Sequence, residues 1–450
     1  MRRSIVLGII GLSLGATAVV EPSGGGAVAD EGAVETEPVT IAVAAASNAA
    51  AELAAPDVAA EVRANLPSPA EEASIIASVA APETVGVEPL ILTAPPPYLD
   101  DVRERLDQAA RSGRVVGLAA AVLEAGEPVL YYTHGETAAG SGEPVTRDTV
   151  FRAASLTKTF TGSMLALLEA QGRVDLSESV PADVITLKAD RQPTWLELVS
   201  HQTGLPPNAY DNLIEAGRSP EEARRRLAEV DLVCPIGECY SYQNVAFGAA
   251  ELLIEETTGL DYAEALRTYM FDPLGLDGAS VGADALRASE SWARPHRGWR
   301  RNVRRRAGSP DSYYDNLPAA AGVNLTIDDL VAWAQAHLDE AAGLPETVRE
   351  RAFAPQIETP RETRGLGRLR ARVDDTAYGM GWRIYHWGDR TLMMHSGYLS
   401  GYGAQVVLEP ATGFAFVALW NADAREPWRL WPTVMDLRTG DGPGDWLDRL

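Results

Sequence analysis

The sequence predicts an α/β fold of the α+β type, an antiparallel sheet flanked by helices with an all-helical domain set into it. Three observations carry this. Apolar runs of strand length, separated by Gly, Asp and Pro, fill the last part of the chain. A helix and a hairpin pattern open the folded part, far away in sequence. Between them, apolar residues recur at helical spacing for well over a hundred positions, so strands from both ends must complete one sheet.

The elements follow in order. In MRRSIVLGIIGLSLGATAVVE, Arg2 and Arg3 precede an apolar run from Ile5 to Leu14, and Ala16, Thr17 and Ala18 are small residues suited to signal peptidase. Residues 1–20 therefore read as a secretory signal, with Ala27, Val28 and Ala29 as a second cleavage point. The stretch 21–97 is rich in Ala, Val, Pro, Glu and Gly and is expected to be a flexible acidic spacer, because it offers little to pack. The folded domain is placed at 98–440, followed by a tail over 441–450.

YLDDVRERLDQAARSGRV spaces its apolar residues as a helix does, and VVGLAAAVLEAGEPVLYYTHGE gives two apolar runs around a glycine turn, a hairpin. After FRAAS, the run LTKTFTGSMLALLEAQG is a helix that places Ser155 at or near its N-terminus. The stretch 194–342 is read as the helical subdomain, on PEEARRRLAEV, VAFGAAELLIEETTGLDYAEALRTYMF and TIDDLVAWAQAHLDEA. YGMGWRIYHWG, RTLMMHSG, YGAQVVLEP and FAFVALWN are strand-like, and a last helix is expected near EPWRLWPTVMDL.

Charge and cysteine content exclude some classes of partner. A net charge of −24 and only two lysines in 450 residues argue against nucleic acid and anionic membrane, both of which would repel the chain. Past the signal no apolar run approaches membrane-spanning length, so no stable membrane insertion is expected after cleavage. Cys234 and Cys239 sit together in CPIGEC. In an oxidising compartment that spacing reads as a disulfide pinning a loop, and no histidine stands nearby to make a metal site.

Ser155 and Lys158 are three apart on a helix, so both project from one face. A serine hydroxyl needs a base, and a neutral amine within reach can serve. The positive end of the helix disfavours a protonated lysine and offers an N–H to an oxyanion. Arginine could not act this way, since its guanidinium keeps its proton. The same spacing also fits a capping serine followed by a surface lysine. In YSYQNVAFG, Tyr242 and Asn244 pair a proton-relaying phenol with an orienting amide. In HSGYLSGYG, His395, Ser396 and Gly397 lie on a strand whose glycine admits a close substrate backbone, and the next N–H belongs to Tyr398.

The order Ser-x-x-Lys, Tyr-x-Asn, His-x-Gly resembles the serine β-lactamase-like superfamily: class C β-lactamase-related hydrolases, esterases and D-alanyl-D-alanine peptidases. TWLELVSHQTGLP, AAGVNLTIDDLVAWA and YGMGW are similar to further segments of that family, so the resemblance covers nearly the whole folded region. It implies Ser155 as acylated nucleophile, Lys158 as its proton acceptor, Tyr242 as shuttle to the leaving group and Asn244 as orienting amide. His395, Ser396 and Gly397 would touch substrate, and the N–H groups of Ser155 and Tyr398 would form the oxyanion hole. Tyr240 is a rival for Tyr242 but lacks the spacing to Asn244. His201 matches a structural position, and His134, His296, His337 and His386 have no constellation around them.

One departure stands out: His395 occupies the place of a lysine in class C β-lactamases, and a histidine is mostly neutral at pH 7. The resemblance therefore implies a periplasmic or secreted bacterial serine hydrolase acting on an ester, amide or D-amino-acid peptide bond of a small-molecule or peptide substrate. It implies no metal and no organic cofactor. The alternatives are a D,D-carboxypeptidase or weak β-lactamase, and an inactive relative that binds peptidoglycan or peptide. The arginine-rich stretches RPHRGWRRNVRRR and RETRGLGRLRARVDD read as solvated loop charges, with an anion site over the cleft as the rival reading.

Overall fold

Eleven strands form two sheets in the computed structural model, which describes residues 95–297, 313–339 and 342–448. The signal, nearly all of the acidic spacer and most of the first arginine-rich stretch lie outside the described residues. Helix α1 (Tyr98–Ala110) buries Leu99, Val102 and Leu106 on one stripe, as its spacing requires. The hairpin β1 (Gly117–Glu124) and β2 (Glu127–Gly135) follows, its turn made at Ala125 and Gly126, both with positive φ.

The two-residue strand β3 (Phe151–Arg152) leads through a tight turn into α2 (Thr157–Ala170). This helix is buried on every side from Thr157 to Leu168, so each of its hydroxyls needs an internal partner. Thr161 donates to the Ala319 carbonyl at 2.7 Å, Thr159 to the Leu156 carbonyl at 2.8 Å, and Ser163 bonds His337 at 3.0 Å. Phe160 stacks on Trp333 with centroids 3.8 Å apart. Burial of one such ring is worth about 1.5–3 kcal/mol.

The middle of the chain is helix-rich, as its spacing predicts, and includes α3 (Asn244–Gly248) and α4 (Ile327–Leu338). Thr326 caps α4 in a capping box with Asp329, fixing where that helix starts. The same stretch also supplies β4 (Ser280–Val281) and β5 (Val323–Leu325), which join β3 in a small antiparallel sheet ordered β3-β5-β4.

The end of the chain gives β6 (Ile357–Glu358), β7 (Val373–Tyr378), β8 (Arg383–Trp387), β9 (Arg390–Leu399), β10 (Tyr402–Glu409) and β11 (Phe414–Trp420), then α5 (Leu430–Thr439). The main sheet runs β2-β1-β11-β10-β9-β8-β7-β6, with every neighbour antiparallel. The N-terminal hairpin thus closes on the last strand, as expected from strands at both ends. One apolar cluster packs α2 and α4 on one face, and a second packs α1 and α5 on the other.

Most of RETRGLGRLRARVDD differs from the loop expected there: a short helix spans Pro360–Gly365 and a 3-10 helix Gly367–Ala371. Its end enters β7, where Asp374 and Asp375 are exposed and the register slips between Val373 and Thr376. That irregularity breaks the two-residue alternation by which a strand is recognised. Arg368 and Arg372 in this segment do pair with local carboxylates, Asp445 and Asp436.

Candidate active site

Ser155 sits on a 3-10 turn, Ala154–Leu156, that runs directly into α2. Ala154 just before it has φ +48, a left-handed conformation that costs a non-glycine residue of order 1 kcal/mol and bends the chain sharply. Strand β9 lies flush against this turn. A Cβ on Gly397 would fall 1.8 Å from the Ala153 carbonyl oxygen, so no larger residue fits without moving one of them. Strand β8 pairs with β9 only as far as Met394, so it leaves the stretch from His395 onward without its pairing on that side.

Lys158, one turn on, is fully buried. Its Nζ donates to Asn244 Oδ1 at 2.8 Å and to the Ala320 carbonyl at 2.9 Å, and lies 3.4 Å from Ser155 Oγ. A neutral amine has two N–H groups and one lone pair. Two acceptors take the two donors, which leaves the lone pair for the serine proton. Burial lowers the Lys158 pKa to about 7, with Asp211 opposing and the Arg383 charge assisting. The loop bearing YGMGW holds the helix here: a Cβ on Gly381 would fall 1.9 Å from the Lys158 carbonyl.

Tyr242 enters from the segment just before α3, and Asn244 is the first residue of that helix. The Tyr242 ring centroid lies 4.8 Å from Lys158 Nζ. Burial raises the Tyr242 pKa to about 12, against the lowering effect of Arg383, so it holds its proton at neutral pH. His201 fixes this segment. Its carbonyl accepts the Ser241 N–H at 2.8 Å, its Nδ1 accepts the Gln243 N–H at 3.2 Å, and its ring packs 4.3 Å from that of Tyr242. Tyr240 is the farther phenol, against His201 and Tyr378.

His395 is neutral. Its Nδ1–H donates to the Ser396 carbonyl at 2.9 Å, so its Nε2 accepts from the Tyr378 hydroxyl at 3.2 Å. Burial, reinforced by Arg383 and Lys158, holds its pKa well below the usual histidine value. It brings no positive charge to the place that a lysine fills in class C β-lactamases.

Ser155, Lys158, Tyr242, Asn244, His395 and Gly397 are therefore brought together, while Ser396 departs from expectation. The two-residue period of β9 turns its side chain to the opposite face of the sheet from His395, so its hydroxyl does not join the group. Tyr398 is half-exposed on the same strand, its hydroxyl donating to Asp423 at 3.0 Å. Cys234 and Cys239 form a disulfide that closes the loop just before Tyr240. Among the described residues no cluster of His, Cys, Asp or Glu could hold a metal ion.

Three participants escaped the sequence reading. Asp211 accepts from Asn244 Nδ2 at 2.7 Å and so fixes which amide atom faces Lys158. The Ala320 contribution is a carbonyl, which no side-chain pattern reveals. Arg383 pairs with Glu362, and its guanidinium lies 5.5 Å from the Tyr242 ring centroid. It stands immediately after YGMGW, a proximity that could have drawn notice.

A profile of the Beta-lactamase family matches residues 102–438. Penicillin-binding protein 4 of Amycolatopsis lactamdurans is 28% identical over 336 residues, covering 71% of this chain and 84% of that protein. Esterase EstB of Burkholderia gladioli is 29% identical over 315 residues, covering 60% of this chain and 79% of its own. Among solved structures, the octameric penicillin-binding protein homologue from Pyrococcus abyssi superposes with a TM-score of 0.68 at 20% identity, over 77% of this chain and 78% of that one.

Proposed function

The chain belongs to the Beta-lactamase family and is a serine hydrolase; from that premise we propose that it works through an acyl-enzyme on Ser155, cleaving an ester, an amide or a D-amino-acid peptide bond. The observation that carries the proposal is the state of Lys158, a buried amine with a pKa near 7 and two neutral acceptors. As Ser155 Oγ bonds the substrate carbonyl carbon, its proton passes to Lys158. The oxyanion is received by the N–H groups of Ser155 and Tyr398. Tyr242 hands a proton to the leaving group as its bond to carbon breaks, and Lys158 restores that proton. Water then attacks the Ser155 ester by the same relay and releases the acid.

Neutral His395 favours substrates that carry no carboxylate for a lysine to hold. A second reading, D,D-carboxypeptidase or weak β-lactamase, draws on Arg383, a cation close to Tyr242 that partly replaces the missing charge. Residues 1–20 as an export signal and the Cys234–Cys239 disulfide support a periplasmic or secreted location. No described helix is long and apolar enough to cross a membrane.

Intact-mass spectrometry across esters, D-amino-acid amides and β-lactams tests this. One acyl adduct per chain is expected, located on Ser155 and absent from Ser155→Ala. A Ser155→Ala protein that turned over esters at the wild-type rate would sink the mechanism. Labelling by a fluorescent penicillin, in competition with a plain ester, decides between the two readings.

A further inference from the structure

Behind the strand that carries His395 lies a cavity that the acyl-transfer chemistry does not use. Side chains alternate along β9: His395 reaches Tyr378 and Gly397 covers Ala153, so Met394 and Ser396 emerge on the opposite face. There Ser396, and Gln405 directly across the ladder from it, line a cavity of about 480 Å³. Tyr385, Trp428 and Trp431 form aromatic walls, Arg425 and Arg429 bring two guanidinium groups, and no carboxylate lines it.

Gln405 is 1% exposed, yet its Oε1 meets no donor among the described residues. A buried carbonyl oxygen left so costs about 1–3 kcal/mol. Gln405 lines the cavity, and a turn of its amide brings that oxygen to the cavity wall, where a donor from outside can meet it. Arg429 gives a second, independent sign. Burial and the nearby Arg368 charge both disfavour its cation, and an incoming anion would relieve both.

We propose that this cavity is a second binding site, for a ligand that joins a carboxylate, an adjacent N–H and an aromatic group, as an N-acylated aromatic amino acid does. The carboxylate meets Arg429, with Arg425 at the rim. The N–H satisfies Gln405 Oε1, and the ring lies between Trp428 and Trp431. The same chemistry arrives from two sources, a free N-acyl amino acid or the C-terminal residue of a peptide. The site stands independently of the acyl-transfer reading, although Ser396 is two residues from Tyr398 and couples the two by position.

N-acetylphenylalanine, titrated into full-length Ser155→Ala protein and followed by tryptophan fluorescence and calorimetry, tests the proposal. Saturable binding is expected, about tenfold weaker or more for N-acetylphenylalaninamide, which lacks the anion, and for Arg429→Gln. Gln405→Met, similar in size but without the carbonyl, is expected to weaken binding severalfold, and Arg225→Gln, at an exposed residue outside the cavity lining, to leave it unchanged. Thermal melts of each variant separate lost binding from lost fold. With active enzyme, competition against an ester substrate identifies the occupant as the end of a peptide substrate, and a change in kcat without competition identifies a free ligand. The proposal is overturned by absence of saturation up to about 10 mM, by equal affinity for the carboxamide, or by a folded Arg429→Gln that binds as wild type.

Discussion

Two basic side chains in this molecule, one partly and one fully buried, have their pKa values moved in opposite directions. Arg438, on α5, donates to Glu124 at 2.7 Å and to Glu409 at 2.6 Å. Burial alone would pull its pKa down, but the two carboxylates carry it up. Lys158, on α2, is more deeply buried, and its donors meet an amide oxygen and a backbone carbonyl instead. Its pKa falls to about 7. Burial acts against the charge of both, and the partners set the direction of the shift: carboxylates raise the pKa of Arg438, which a guanidinium's intrinsic basicity keeps charged in any case, whereas neutral acceptors leave burial to lower that of Lys158.

The harshest way to break that contrast is Lys158→Arg, which puts a permanent cation where a neutral amine is needed. Ester turnover is expected to fall by about 10³–10⁴-fold, the usual worth of a positioned general base together with the loss of fit. A variant within tenfold of wild type would mean that another group takes the serine proton. Next is Arg438→Gln, which strands Glu124 and Glu409 on the scaffold side. Urea denaturation is expected to show a loss of about 2–4 kcal/mol, while the acid limb of the ester pH profile stays in place. Movement of that limb would show that the two regions are not separate.

Asn244→Asp tests the contrast from the other side, by giving Lys158 the kind of partner that Arg438 has. A carboxylate at 2.8 Å favours the ammonium form, so the acid limb of kcat/KM should move to higher pH. Activity at pH 7 should drop by about 10–100-fold and recover in part above pH 8. Asp211 faces the new carboxyl and resists its ionisation, which keeps the expected effect below that of Lys158→Arg. A uniform loss at all pH values would indicate a disturbed loop rather than a retained proton.

These partners also mark what the sequence made legible. Ser155, Lys158, Tyr242, Asn244 and His395 each stand in a short local pattern, and the hairpin, α2 and the last strands carry clean periodicities. The groups that set the Lys158 pKa leave no such trace. Asp211 is one acid among sixty-three, the Ala320 acceptor is main chain, and Arg383 acts only because the turn at Gly381 brings β8 against α2. Strand β7 was hidden by exposed Asp374 and Asp375 at an irregular register. Adjacency in sequence groups Ser396 with His395, although neighbours on a strand face opposite ways.

Arg383 gives the mildest test, because its charge works at a distance and is answered by Glu362. Its cation lowers the pKa of both Lys158 and Tyr242. In Arg383→Gln, Lys158 should hold its proton to higher pH and Tyr242 likewise, so both limbs of the kcat/KM profile move in the alkaline direction. Turnover at pH 6 should fall less than tenfold, and turnover above pH 8 should scarcely change. Glu362→Gln removes the counter-charge and should shift the acid limb the other way. Arg383→Lys keeps the sign of the charge and should restore most of the profile. Were Arg383→Gln and Glu362→Gln to move the limb in the same direction, packing against Tyr242 and Tyr378 would be the cause, and the neutral state of Lys158 would rest on burial and its two acceptors alone.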